Sequence, residues 1–220
     1  MTRRTVTFVA GLAAVAVALA PPLDAAAERR LSAHMVQHLL LVLLAAPLLA
    51  SARPLFQGIR RPLARRLATH PVVVGSLSVG GFWMWHLPRL YEAALTNLAV
   101  HVFEHGTFLV GALLFWSVVF DPGPRRRLGI GWTCVLVFAA MVINIWLAAG
   151  LTFSNTPLYS TYAGRGAAAL SDQQLAGVIM WLPADIVYFV TLLALFRSLL
   201  SDLDLRMRPR ESVEAHGVDR

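Results

Sequence analysis

At 220 residues with 57% apolar and 14% charged side chains, the chain is too apolar for a soluble domain of its length and reads as an all-α integral membrane protein. The formal charge of +7 does not imply nucleic acid: all 19 basic residues are Arg, and most flank apolar runs instead of interleaving with aromatics. The single cysteine, Cys134, lies inside an apolar run, which excludes a disulfide framework or a thiolate cluster and leaves imidazole, carboxylate or thioether for any metal.

Six apolar runs, at about 5–23, 31–50, 72–88, 98–120, 130–151 and 173–197, each approach the ~20 residues that cross ~30 Å of hydrocarbon. They predict a polytopic bundle of six transmembrane helices in one domain, 1–200, embedded in a lipid bilayer. The first run also has signal-peptide character, with Arg3-Arg4 before it and the small residues Ala25 to Ala27 after it, but Pro21-Pro22 and Asp24 disfavour cleavage. Either way residue 31 enters the membrane from the outside.

The second run carries His34 and His38, and the third closes on His86, with Trp83, Trp85 and Tyr91 placed for an interfacial aromatic belt. The fourth opens with His101, Glu104 and His105. The loop from Thr152 to Ser171, with Pro157, Tyr159, Tyr162, Gly164 and Gly166, is the longest connection on that side and suits a partner-facing lid. The sixth run opens with Asp172, Gln173 and Gln174 and carries Trp181 as a core residue. Deeper in it lies Asp185, two residues after Pro183, with Asn144 or a carbonyl freed by the proline as its expected partner. Residues 201–220 lack an apolar period and read as a flexible tail.

Charge bias orients the spans. Arg3, Arg4, Arg53, Arg60, Arg61, Arg65, Arg66, Arg125 to Arg127 and the tail arginines fall on one face, against Arg29, Arg30, Arg89 and Arg165 on the other. The positive-inside rule then places both termini in the cytoplasm of a bacterial plasma-membrane protein.

Five of the seven histidines, His34, His38, His86, His101 and His105, end at one depth in the extracytoplasmic leaflet. His34 with His38, and His101 with His105, are four residues apart, so each pair stacks on one helix face. A lone histidine in a membrane helix is commonly packing glue; five at one level need a shared cause, since intramembrane polar groups are costly, and neutral imidazole is the commonest protein ligand for transition metals. Asp172 lies at the same level and fits equally as a helix N-cap. Gln173 and Glu104 suit orientation of ligand imidazoles, and Glu104 alternatively pairs with Arg30 or Arg89. Met35 and Met84 point away from their neighbouring histidines and read as packing.

These residues together resemble the CtaG-type cytochrome c oxidase assembly factors linked to caa-type oxidases. The resemblance rests on Pro22-Leu23-Asp24, on Ser32-Ala33-His34-Met35-Val36-Gln37-His38-Leu39-Leu40, and on Trp83-Met84-Trp85-His86-Leu87-Pro88. It extends through His101 to His105 with Glu104 and through Asp172-Gln173-Gln174-Leu175-Ala176-Gly177 with Met180-Trp181. It implies a non-catalytic role in maturing a haem-copper oxidase, with a subunit of that oxidase as partner and copper handled at the outer face. His34, His38, His86, His101 and His105 correspond to the family's motif histidines, and Asp172 to its acidic position. Family members usually carry a further amino-terminal helix, so the resemblance implies a chain that begins just before the second family helix.

From the residues alone three metal chemistries stay open. Imidazole serves copper and zinc alike. One histidine from each of two helices can ligate a haem as an electron-transfer site. Three histidines with a carboxylate can hold a hydrolytic zinc, although an H-E-x-x-H element is missing. A purely structural subunit without metal is the fourth possibility.

Overall fold

The computed structural model describes residues 2–52, 70–120, 129–163 and 167–217, with side chains described to Asp204. The arginine-rich segments at 53–66 and 125–127, Arg165, Gly164 and Gly166 lie outside the described residues, as do the side chains of the tail. Among the described residues every element is helical and there is no strand.

Helix α1 (Arg3–Ala18) is capped by Thr2, whose hydroxyl accepts from the Thr5 amide. Pro21 and Pro22, tolerated only in a first turn, start a separate helix α2 (Pro21–Ala27) bent 48° from α1. Helix α3 spans Leu31–Ala52, α4 Pro71–Trp85, and α5 Pro88–Thr96. Asn97 starts α6 (Leu98–Val119) by accepting from the amides of Ala99 and Val100, which fixes the register of His101. Helix α7 is Ile130–Thr152, α8 the short turn Ser160–Ala163, and α9 Ala167–Gly217. The segment 201–217, read from its composition as a flexible tail, has helical backbone continuous with α9.

The expectation of six full spans needs correction. Among the described residues four helices, α3, α6, α7 and α9, are long and apolar enough to cross a bilayer, and α1 with α2 makes a fifth only if the bent pair is one span. The predicted third span is the 15-residue helix α4, about 22 Å long at ~1.5 Å per residue and so short of the ~30 Å core. Proline explains the shortfall: Pro71 opens α4, and Pro88 starts a new helix directly after His86 and Leu87.

Two π turns, Leu40–Ala45 in α3 and Ser76–Gly80 in α4, widen the facing helices. In α3 the Ala46 amide reaches back five residues to Leu41, so the carbonyl of Val42 would next be due to residue 47. Pro47 has no N–H to offer, and the Trp116 indole N–H from α6 takes that carbonyl at 2.9 Å.

Two large clusters make most of the core, and a third, Trp85 with Ala94 and Phe108, links α4, α5 and α6. One large cluster, around Ala46, Val74, Phe115, Trp116 and Val137, packs α3, α4, α6 and α7. The other, around Leu31, Met35, Tyr91, Leu151, Tyr159 and Met180, closes the histidine end. Large apolar side chains such as Phe138, Trp146, Ile186, Phe189 and Phe196 are exposed around the outside, which water disfavours and lipid accepts.

Candidate metal centre

On α3, Leu31, His34, Met35 and His38 follow an i, i+3, i+4, i+7 stripe, all buried. Helix α6 repeats the pattern with His101, Glu104, His105 and Phe108. The two stripes face each other, so two imidazoles of one helix meet two imidazoles and a carboxyl of the other.

His34, His38, Glu104 and His105 each direct one ligand atom into a common space, those atoms all within 4.8 Å of one another. His34 Nε2 is 3.9 Å from Glu104 Oε2 and His38 Nε2 is 4.0 Å from Glu104 Oε1, beyond hydrogen-bond length. The rings touch edge to face, with centroids 4.2 Å apart for His34 and His38 and 5.3 Å for His38 and His105. Glu104 is fully buried. Instead of pairing with Arg30 or Arg89, it stands between the imidazoles with its carboxyl oxygens turned toward His34 and His38, where the sequence suggested only outer support. The signal was present: position 104 is i+3 from His101 on the same stripe.

Both ring nitrogens of His34 and of His38, both carboxyl oxygens of Glu104 and Nε2 of His105 are buried without a hydrogen-bond partner. A buried unsatisfied polar group costs about 1–3 kcal/mol, and seven in one pocket are improbable as packing alone. Tetrahedral ligands at ~2.0–2.1 Å from a metal stand about 3.3 Å apart, so modest side-chain rotations bring this set onto one ion.

The remaining predicted residues divide. His86 lies beside the group, its ring 6.2 Å from His38. Its Nδ1 is 2.7 Å from the Phe82 carbonyl, which makes Nδ1 the protonated nitrogen and leaves a buried, unpartnered Nε2 as lone pair. His101 sits at the rim, described below. Asp172 is not in the group. Its carboxylate accepts from the hydroxyl and amide of Ser32 and so ties the start of α9 to the start of α3. Gln173 likewise serves packing, accepting from the Leu158 amide at 2.7 Å and donating to the Leu151 and Thr156 carbonyls.

Asp172→Asn is therefore expected to lower stability by about 1 kcal/mol, a charge-assisted bond partly screened by exposure, and to leave metal content unchanged. Thermal unfolding with elemental analysis checks both; lost metal would return Asp172 to the ligand set.

The aromatic belt needs revision as well. Trp83 is exposed, donating to the Ile143 carbonyl. Trp85 is buried, its indole N–H on the Thr107 hydroxyl. Tyr91 is fully buried with its ring 5.0 Å from His34. Trp181 is half-buried against the second large cluster, and Asp185 lies beside Asn144 and Trp181.

The described part of the 152–171 loop, read as a lid, is tied down over the pocket. Tyr159 donates to the His86 carbonyl at 3.0 Å and Tyr162 to the Ala27 carbonyl at 2.9 Å. Ser160 donates through hydroxyl and amide to Glu92, which holds that carboxyl below its usual range. Burial pushes the Tyr159 phenol up, so it remains a hydrogen-bond donor. On the opposite side Phe82 and Phe108 wall the pocket off from a cavity of about 50 Å³.

A family model described as cytochrome c oxidase caa3 assembly factor matches residues 1–202. Neither a curated protein nor a solved structure matched the chain significantly.

Proposed function

Since the chain belongs to the cytochrome c oxidase caa3 assembly factor family, we propose that it holds one copper ion in the His34, His38, Glu104 and His105 group while a haem-copper oxidase is matured. The observation that carries this reading is the set of buried, unpartnered ligand atoms from two facing helices. Three imidazoles and a carboxylate fit copper or zinc; the oxidase's own metal chemistry favours copper. Ring contacts at 4.2–5.3 Å leave no slot for a macrocycle between the histidines, which argues against haem.

In this role the chain is a carrier and not a catalyst. All four ligands of the group are protein side chains, so the ion needs no open position for substrate water, unlike a hydrolytic zinc. Imidazole and carboxylate bonds exchange, and a carrier needs ligands that release. The charge bias of the sequence favours the extracytoplasmic end of a bacterial plasma-membrane protein for the group.

The test is anaerobic purification of the full chain from copper-supplied cells, followed by elemental analysis and an absorption spectrum. Wild type is expected to carry about one copper per chain without a Soret band, and His34→Ala and His38→Ala to carry none while still inserting. Unchanged copper in both variants, or a haem spectrum, would overturn the reading.

A further inference from the structure

We propose that His101, Asp24 and Gln37 form a hand-over station through which the ion enters and leaves the buried group by stepwise ligand exchange. This inference rests on the copper reading above and adds the route.

The four ligands are 0–6% exposed, and the capping loop is hydrogen-bonded over them, so an ion cannot drift in as an aquo complex. It must keep ligands at every step, because a bare ion in a dry pocket is forbidden by its desolvation cost. His101 is placed to supply them. Its side chain is 15% exposed and has a different neighbour at each nitrogen. Nδ1 faces inward, 4.0 Å from Glu104 Oε2 of the buried group. Nε2 faces Asp24 Oδ1 at 3.5 Å, and Asp24 is 44% exposed. The ring also lies against His105, centroids 4.3 Å apart, and 5.8 Å from His34. One imidazole thus touches both a member of the buried set and an exposed carboxylate.

Asp24 is the single polar residue of α2, the short helix set off by the bend after α1. Gln37, fully buried on α3, donates to Asp24 Oδ1 at 3.1 Å and aims the carboxylate at His101. The other amide atom, Gln37 Oε1, is buried without a partner, as though another contact completes it. Exchange through this set is an associative substitution without redox change: an incoming ion bonds to Asp24 and His101 Nε2 as its external ligand departs. The His101 ring then turns inward, the ion bonds to Glu104 and His105 as the Asp24 bond breaks, and it bonds to His34 and His38 as the His101 bond breaks. Release runs the same steps backward.

The competing account is a tether, in which His101 and Asp24 merely pin α2 to α6. A tether changes stability and leaves exchange rates alone. The experiment uses the full chain in detergent, loaded anaerobically with Cu(I), and follows uptake from and extraction by a Cu(I) chelator for wild type, Asp24→Asn and His101→Gln. Equilibrium partition of Cu(I) against the chelator and thermal unfolding are measured alongside. Both variants are expected to keep wild-type stoichiometry and an affinity within about threefold, while uptake and extraction slow by about tenfold or more, as a barrier lacking one bridging ligand requires. Wild-type rates in both variants would overturn the station. So would a His101→Gln chain that cannot hold Cu(I) at equilibrium, since His101 would then be a permanent ligand. A wild-type chain that takes up no Cu(I) defeats the copper reading and the route with it, an outcome distinct from a loaded wild type with unaffected variants.

Discussion

Glu104→Gln is expected to raise the melting temperature of the ion-free protein and to lower that of the loaded protein, so the two curves cross. In the ion-free chain the Glu104 carboxyl is fully buried with neither oxygen hydrogen-bonded. An amide of the same shape carries no charge to desolvate, and its one NH2 group, in place of one carboxyl oxygen, faces the unpartnered nitrogen of either His34 or His38. A gain of about 1 kcal/mol follows. With ion present the sign reverses. Loss of a charged ligand exceeds the 10–100-fold typical of outer-shell changes, and about 100-fold weaker binding removes about 2.7 kcal/mol of ligand-linked stability at fixed ion concentration. Thermal unfolding of both proteins with Cu(I) and with chelator measures all four values. Parallel curves would mean that Glu104 acts as a packing residue and never meets the ion.

What the sequence made legible here is a matter of which physical signals are local. The i, i+4 histidine pairs on α3 and α6 were readable because helix geometry alone puts them on one face. Apolar runs separated by Arg, Pro and Gly marked the helices for the same reason. Glu104 was harder. Beside His105 in the chain it looks turned away, and only the longer stripe of His101, Glu104, His105 and Phe108 reveals that a buried face includes it. Asp172 was grouped with the histidines because depth in the membrane was the only coordinate available. Depth does not say which neighbour an acid meets, and Ser32, 140 residues away in sequence, was the one that claimed it. Tyr91 and Trp85 were assigned to the lipid interface by residue type, yet α5 folds back over the pocket after Pro88 and buries both. The count of spans failed for a related reason: hydropathy cannot see that prolines at 21, 71 and 88 cut helices short. The Asp24 contact with His101 joins segments 77 residues apart, and no local pattern announces it.

The bundle depends on one close approach, and Gly177→Ala tests it with a sign opposite to helix propensity. Propensity alone favours alanine by about 1 kcal/mol in a helix interior. At Gly177 a Cβ would collide with Thr152 Oγ1 and stand 2.7 Å from the Thr152 amide nitrogen and 2.8 Å from the Ala148 carbonyl oxygen. Two of these three are backbone atoms of α7 and cannot rotate aside, so α9 must move. Helices α7 and α9 form the most extensive pair in the bundle, joined here through Ala148, Ala176 and Gly177 in the small-residue packing that brings membrane helices close. Overpacking of this kind costs about 1–3 kcal/mol. The displacement also strains the Gln173 and Asp172 hydrogen bonds that anchor the capping loop and α3, each worth about 1 kcal/mol. Gly177→Ala should therefore unfold at lower temperature than wild type, and Gly177→Val lower still, with Cu(I) held less firmly because α3 carries His34 and His38. Gly106→Ala is the matched control. Its Cβ would meet nothing within 4 Å, so only propensity acts and stability should rise by about 0.5–1 kcal/mol. Unfolding measured in one detergent for the three variants decides the matter: a Gly177→Ala protein at or above the wild-type temperature would show that α7 and α9 do not approach as closely as their backbones are placed.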